Sequence, residues 1–244
     1  MRRFFVPPDV LGGREVALPR ELSRRLATVL RLKRGDRVLL ADGLGRDYEV
    51  EITALTPRSV QAAVVGERAS PPEPALELVL YQSLVRPQRF DLVLEKGTEL
   101  GVARFVPLVS GRARVKTEGG SQRAERWRRI VTEAAEQCGR GRVPAVDPPV
   151  AFEEAVRTAP GLRLLPWEGE RSRGLRSYLR GLQLIPEAVS LFIGPEGGFA
   201  EEEAALAREA GCATVSMGQR VLRSETAGIV AAALVMHELG EMGD

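Results

Sequence analysis

Asparagine is absent from this chain, histidine occurs once, as His237, and cysteine twice, as Cys138 and Cys212. A single histidine, near the C-terminus, argues against a Ser-His-Asp triad and against any zinc site built on paired histidines. The two cysteines cannot make a disulfide framework or a zinc site of the usual spacing, and each reads as a small buried residue of a reducing compartment. No metal site is expected. Lysine is confined to Lys33, Lys96 and Lys116, so arginine carries nearly all the positive charge. The guanidinium fork suits phosphate contacts and base stacking, although a GC-rich genome explains the same bias. No apolar run is long enough to cross a bilayer: the most apolar late stretch is residues 229–236. Met1-Arg2-Arg3 is followed by Pro7, Pro8 and Asp9 instead of an apolar signal segment. A cytoplasmic protein with no membrane role is expected. The formal charge of +2 points to no partner class by itself.

Residues 1–68 read as a small β-rich unit. Strands are expected at 4–6, 37–41, 48–52 and 59–65, with Asp42-Gly43-Leu44-Gly45 as a hairpin turn. A helix at 21–30 interrupts them. Arg24, Arg25, Arg31, Lys33 and Arg34 make the densest basic cluster of this part, read either as a solvated face or as an RNA contact. Residues 66–74 are linker by composition, which puts the boundary at 69–75. From 76 to 244 the pattern alternates. Strands at 76–81, 105–109, 162–165, 189–193 and 213–216 alternate with helices at 88–100, 124–138, 200–210 and 224–239. The fold class is α/β, with a mostly parallel sheet covered on both faces.

The strand at 189–193 runs straight into Gly194-Pro195-Glu196-Gly197-Gly198, an elbow of the kind that binds ligands at the carboxyl edge of open sheets. It is neither a P-loop nor a Gly-x-Gly-x-x-Gly fingerprint, and no lysine is at hand for phosphates. Glu196 and Glu201, Glu202 and Glu203 would repel a polyphosphate, so a neutral or cationic ligand fits better; the last three also suit a helix N-terminus. A second loop, Met217-Gly218-Gln219-Arg220, leads into another helix, with Ser224 in position to cap it. Arg220 and Arg223 either orient a polar substrate or lie on the surface.

Gly194-Pro195-Glu196-Gly197-Gly198-Phe199 followed by Arg220-Val221-Leu222-Arg223-Ser224-Glu225-Thr226-Ala227 resembles the C-terminal signature of the RsmE family. Further matches lie in Lys96-Gly97-Thr98-Glu99-Leu100-Gly101-Val102, in Arg112 to Lys116, in Trp127-Arg128-Arg129-Ile130 with Glu133 to Gln137, and in Val29-Leu30-Arg31-Leu32 with Gly35-Asp36. Gln219 stands where the family usually has proline, and Ala200 where it has a small hydroxyl residue. The resemblance implies a SPOUT methyltransferase domain with a trefoil knot, one of the rare exceptions to unknotted topology, behind a small β-barrel, PUA-like RNA-binding domain. It implies methylation of N3 of a uridine in 16S rRNA, S-adenosylmethionine as cofactor, a homodimer, and the small ribosomal subunit as partner. Another RNA nucleotide as target, or a non-catalytic RNA-binding assembly role, are the alternatives. By motif position the cofactor is expected at Leu165, Pro166, Glu168, Gly194, Pro195, Glu196, Gly197, Gly198, Met217, Gly218, Arg220, Val221 and Leu222. Catalysis is expected to rest on Arg223 and Glu225, and RNA contact on Arg2, Arg3, Arg31, Lys33, Arg34, Arg112, Arg114 and Lys116.

Overall fold

The computed structural model describes residues 1–112 and 120–243. Arg114 and Lys116 lie outside the described residues. The chain divides into two compact units, Met1–Glu73 with Ala135–Val143, and Pro74–Ala134 with Pro144–Asp244.

The first unit contains β1 (Arg3–Phe5), β2 (Glu15–Ala17), α1 (Arg20–Arg24), β3 (Arg37–Ala41), β4 (Arg46–Thr56) and β5 (Ser59–Ala69). Its sheet runs β1-β3-β4-β5-β2, with β1 parallel to β3 and the other pairs antiparallel. The β3–β4 turn forms where expected: Asp42 Oδ1 accepts from Leu44 N at 2.7 Å and Arg46 N at 3.0 Å, and Gly43 and Gly45 take positive φ. Alternating apolar residues send Leu40, Val50, Ile52, Val60 and Ala62 inward, where Leu26 meets them. The helix beyond α1 continues as a π-helical turn, Arg25–Val29. It ends at Arg31, whose φ of 52° is the one positive value among the described non-glycine residues.

Two expectations change in this unit. Residues 66–69 are not linker: β5 runs on to Ala69, paired with Arg46–Glu49 of β4. Arg3 is not an RNA-facing residue. It is 7% exposed, its guanidinium lies 2.5 Å from Asp47 Oδ1 and 3.1 Å from Ser70 Oγ, and it donates to the Gly139 carbonyl. Breaking a buried pair of this kind strands a charge, so Arg3 belongs to the core of the unit. The segment Ala135–Val143 is held to the unit by that contact and by Arg25–Glu136 at 2.7 Å and Arg140–Glu73 at 2.6 Å.

The second unit contains, in chain order, β6 (Glu77–Ser83), α2 (Pro87–Glu99), β7 (Arg104–Val109), α3 (Gly120–Cys138, its last turn counted with the first unit), β8 (Ala145–Val146), β9 (Val150–Ala151), α4 (Phe152–Thr158), β10 (Leu162–Pro166), α5 (Leu175–Arg180), β11 (Ala188–Ile193), α6 (Glu201–Glu209), β12 (Ala213–Val215) and α7 (Ser224–Glu238). Every pairing is parallel, in the order β12-β10-β11-β6-β7-β8, with β9 also on β7. Near-continuous apolar strands such as Leu78–Tyr81 and Leu191–Ile193 are what a sheet buried on both faces requires. Tyr81 stacks on Phe192 at 4.5 Å, and α4 and α6 cover them through Phe152, Ala155 and Ala207. α2 and α7 pack on each other, and α7 packs on β6 and β11. α2 also lies close on β7, where glycine is required: a Cβ at Gly97 would stand 2.6 Å from the Phe105 ring.

Strand order reverses between β6 and β11, since β7 and β8 extend the sheet one way while β11, β10 and β12 extend it the other. Such a switch point leaves a crevice at the carboxyl ends of the strands. After β12, at the sheet edge, the chain returns to the middle of the sheet to begin α7 against β6 and β11.

Candidate active site

Three loops converge at the carboxyl ends of β10, β11 and β12. They enclose a cavity of about 500 Å³. Pro166, Trp167 and Glu168 come from the first loop, Gly194, Pro195 and Gly198 from the second, and Met217 to Leu222 from the third. Each loop is fixed by hydrogen bonds that its own sequence makes possible. Gly198 N donates to the Pro195 carbonyl at 3.0 Å, and its φ of 64° is one that glycine adopts without strain. Gly194 passes so close to Phe199 that a Cβ would meet its backbone nitrogen at 3.1 Å. Trp167 N donates to the Val215 carbonyl at 3.0 Å, and Trp167 Nε1 to the Phe199 carbonyl at 3.3 Å, which ties the first loop to the third strand and to the second loop.

Glu170 staples the first loop. Its carboxylate accepts from Ser172 Oγ at 2.7 Å, Ser172 N at 2.8 Å and Thr214 Oγ1 at 2.9 Å. Those donors hold it ionised, with a pKa lowered to about 2, the Ser172 hydroxyl contributing most. Glu203 plays a similar part at the head of α6. It accepts from Ala200 N at 2.8 Å and from Gly111 N at 2.9 Å, while Ala200 itself offers no side-chain cap. Arg112 lies over the second loop, its Nη1 donating to the Gly197 carbonyl at 3.0 Å.

Ser224 does not cap α7. Arg223 occupies the cap position without a side-chain bond, and Ser224 is the first helical residue. Its hydroxyl instead donates to the Gly194 carbonyl at 2.5 Å and accepts from Gln82 Nε2 at 2.8 Å. Glu225, in the next position, is 8% exposed. Its Oε1 lies 3.6 Å from Arg89 Nε, and Arg89 Nη1 lies 3.5 Å from Glu196 Oε1. Arg89 was not singled out from the sequence, because an arginine in the first turn of an amphipathic helix carries no local signal.

The expected cofactor residues separate into two groups. Pro166, Glu168, Gly194, Pro195, Gly198, Met217, Gly218, Arg220, Val221 and Leu222 line the cavity. Leu165, Glu196 and Gly197 do not: Leu165 is fully buried in the strand core, and Glu196 and Gly197 are exposed on the outer side of their loop. Trp167, inside the expected loop 165–168, lines it as well, and Glu170, Gly174, Phe199 and Ser216 line it without having been foreseen. Arg223 is exposed, and neither it nor Glu225 lines the cavity. In the first unit, Arg2, Arg31, Lys33 and Arg34 are exposed.

The lining fits S-adenosylmethionine. Glycine backbone at 194, 198 and 218 admits close approach, Ile193, Phe199, Met217 and Leu222 offer apolar surface for a ring, and Glu168 and Glu170 supply negative charge to a sulfonium-bearing tail. Among the described residues no lysine lines the cavity.

Residues 71–236 match the profile of an RNA methyltransferase domain, and residues 24–65 that of an RNA methyltransferase PUA domain. The chain is 35% identical over 237 residues to ribosomal RNA small subunit methyltransferase E of Synechocystis sp., covering 96% of this chain and 76% of that protein. Its counterpart in Bacillus subtilis is 26% identical, with 98% and 97% covered. A ribosomal RNA small subunit methyltransferase E from Neisseria gonorrhoeae, solved bound to S-adenosyl methionine, superposes with a TM-score of 0.87 at 32% identity over 97% of each chain.

Proposed function

We propose that this chain, which belongs to the ribosomal RNA small subunit methyltransferase E family, methylates N3 of one uridine in small-subunit (16S) ribosomal RNA. It is an S-adenosylmethionine-dependent rRNA methyltransferase. The observation that carries the reading is the cavity after β10, β11 and β12, whose lining suits that cofactor and whose third loop leads directly into Arg223 and Glu225.

When bound, S-adenosylmethionine supplies an electrophilic methyl carbon. In the transfer the N3–C bond forms as the S–C bond breaks, and the N3 proton leaves before or during attack. N3 lies on the Watson–Crick edge, so the target base must be unpaired or flipped out. Arg223, exposed at the end of the third loop, offers its guanidinium to O2 or O4 of the uracil, where negative charge grows as N3 loses its proton. Glu225, two residues beyond Arg223 and outside the cavity lining, orients the base or takes the N3 proton. Glu168 and Glu170 balance the positive sulfur. Arg2, Arg31, Lys33, Arg34 and Arg112 contact RNA phosphates, so affinity falls steeply with salt.

The working form is a cytoplasmic homodimer. Between Ala227 and Met236 α7 is apolar on every side, and its Val230 stays 36% exposed, with Leu92 of α2 at 39%. A second copy seated there covers a face that a lone surface helix would make polar.

The test is mass spectrometry of 16S rRNA from cells lacking the gene. Loss of 3-methyluridine is expected, and its persistence would overturn the assignment. With purified protein, Arg223→Ala should lower the single-turnover rate about 100-fold, the scale seen when an anion-stabilising donor is removed; a near-normal rate would remove Arg223 from the chemistry.

A further inference from the structure

We propose that Arg89 is a positioning residue for methyl transfer, acting through Glu225. The proposal rests on the reading of Glu225 given above.

Arg89 stands in the first turn of α2, directly after Pro87 and Gln88. A cation at a helix N-terminus opposes the helix dipole, so its position needs compensation from elsewhere. Two carboxylates provide it, Glu225 at 3.6 Å and Glu196 at 3.5 Å. One guanidinium thereby joins three segments that are far apart in sequence: the head of α2, the loop after β11, and the first turn of α7.

The two contacts are unequal. The Glu196 side chain is 34% exposed, so that pair is screened by water. The Glu225 side chain is only 10% exposed, and among the described residues Arg89 is the cation that faces it. Its Oε1 faces Arg89, while its Oε2 is buried with no hydrogen-bond partner among the described residues. An unsatisfied buried carboxylate oxygen is costly, and more so than a neutral one. Arg89 and the amino end of α7 offset part of that cost and keep the carboxylate in one orientation. Oε2 has no donor of its own and is closed off from solvent, so the orientation of the carboxylate rests on the Arg89 contact at Oε1. Both ion pairs are longer than ordinary hydrogen bonds, so Arg89 orients Glu225 by charge without saturating it.

A purely structural Arg89 predicts a different energetic pattern from one that works through Glu225, and a double-mutant cycle separates them. Arg89→Gln, Glu225→Gln and the double variant are compared with wild type in single-turnover methylation at saturating cofactor. Arg89→Gln is expected to lower the rate about 10- to 100-fold and Glu225→Gln at least as much. The double variant should then be within about twofold of Glu225→Gln alone. Cofactor Kd by calorimetry should change less than about fivefold, because the Glu196 contact is exposed. Arg89→Lys, which keeps the charge, should recover much of the rate, and it keeps the test open if Arg89→Gln folds poorly. Rate losses that multiply in the double variant, or a Kd that collapses with the rate, would overturn the proposal. A wild-type rate in Glu225→Gln would instead overturn the reading of Glu225 on which it rests. The wild-type product, identified in the same assay, tests the choice of N3 separately.

Discussion

The Ser224 hydroxyl donates to the carbonyl oxygen of Gly194 across 2.5 Å, joining residues thirty positions apart in the chain. The same hydroxyl accepts from Gln82, which is 1% exposed at the end of β6. One small side chain thus fixes the start of α7 against both the loop that follows β11 and the strand beside it. Gly194 has no side chain of its own to hold it, and it is half-buried at the cavity wall. The bond therefore sets the shape of the cavity wall as well as the stability of the fold.

Ser224→Ala removes that donor and leaves the Gly194 carbonyl and the Gln82 amide without this partner. Leaving a buried polar group unsatisfied costs about 1–3 kcal/mol. For a chain of this size the melting temperature should fall by several degrees. Because Gly194 and Ser224 both line the cavity, S-adenosylmethionine should bind about tenfold more weakly by calorimetry, the loss that ~1.4 kcal/mol produces. An unchanged melting temperature and an unchanged Kd would mean that the loop is held by other contacts.

Much of this site was legible in the chain because its loops announce themselves locally. Gly194 to Gly198 combines a strand ending with glycines that only a tight turn or a close approach explains, and Met217 to Leu222 repeats the pattern one strand later. The alternation of apolar strands and amphipathic helices likewise displayed the parallel sheet. The misses have a common physical cause. Arg89 meets Glu225, Trp167 meets Phe199, and Ser224 meets Gly194 only once the sheet has assembled, so no periodicity or spacing records these pairs. Arg3 looked like a surface cation in a basic N-terminus because its partners, Asp47, Ser70 and Gly139, are distant in sequence. The helices α4 and α5 are 7 and 6 residues long, too short for a helical period to stand out.

Glu170 makes the first loop sensitive to acid. Its folded-state pKa is lowered from 4.5 to about 2 by the Ser172 and Thr214 donors. A depressed carboxylate pKa stabilises the folded state fully above the ordinary value and loses that contribution as pH falls through the folded one. The melting-temperature gap between wild type and Glu170→Ala should therefore be constant from neutral pH down to about 4.5. It should then narrow and close near pH 2. Thermal melts in a pH series measure it, and a gap that ignores pH would show that the loop draws no stability from the ionised carboxylate.

The apolar surface shared by α2 and α7 yields a prediction about assembly. Val230 and Leu92 remain 36% and 39% exposed on two helices that pack together. The polar residues that would normally face water on α7 are missing along Gly228 to Met236. If a second copy covers this face, a glutamate at either position buries an unpaired charge twice over, once in each protomer of a two-fold interface. Leu92→Glu with Val230→Glu should shift the sedimenting species from dimer to monomer at micromolar concentration. The fold should survive, since both side chains point away from the core of their own chain. If the site is completed across the two-fold axis, methylation falls with the dimer fraction and recovers as protein concentration rises. A variant that stays dimeric would move the interface elsewhere, and a fully active monomer would remove any need for the partner in catalysis.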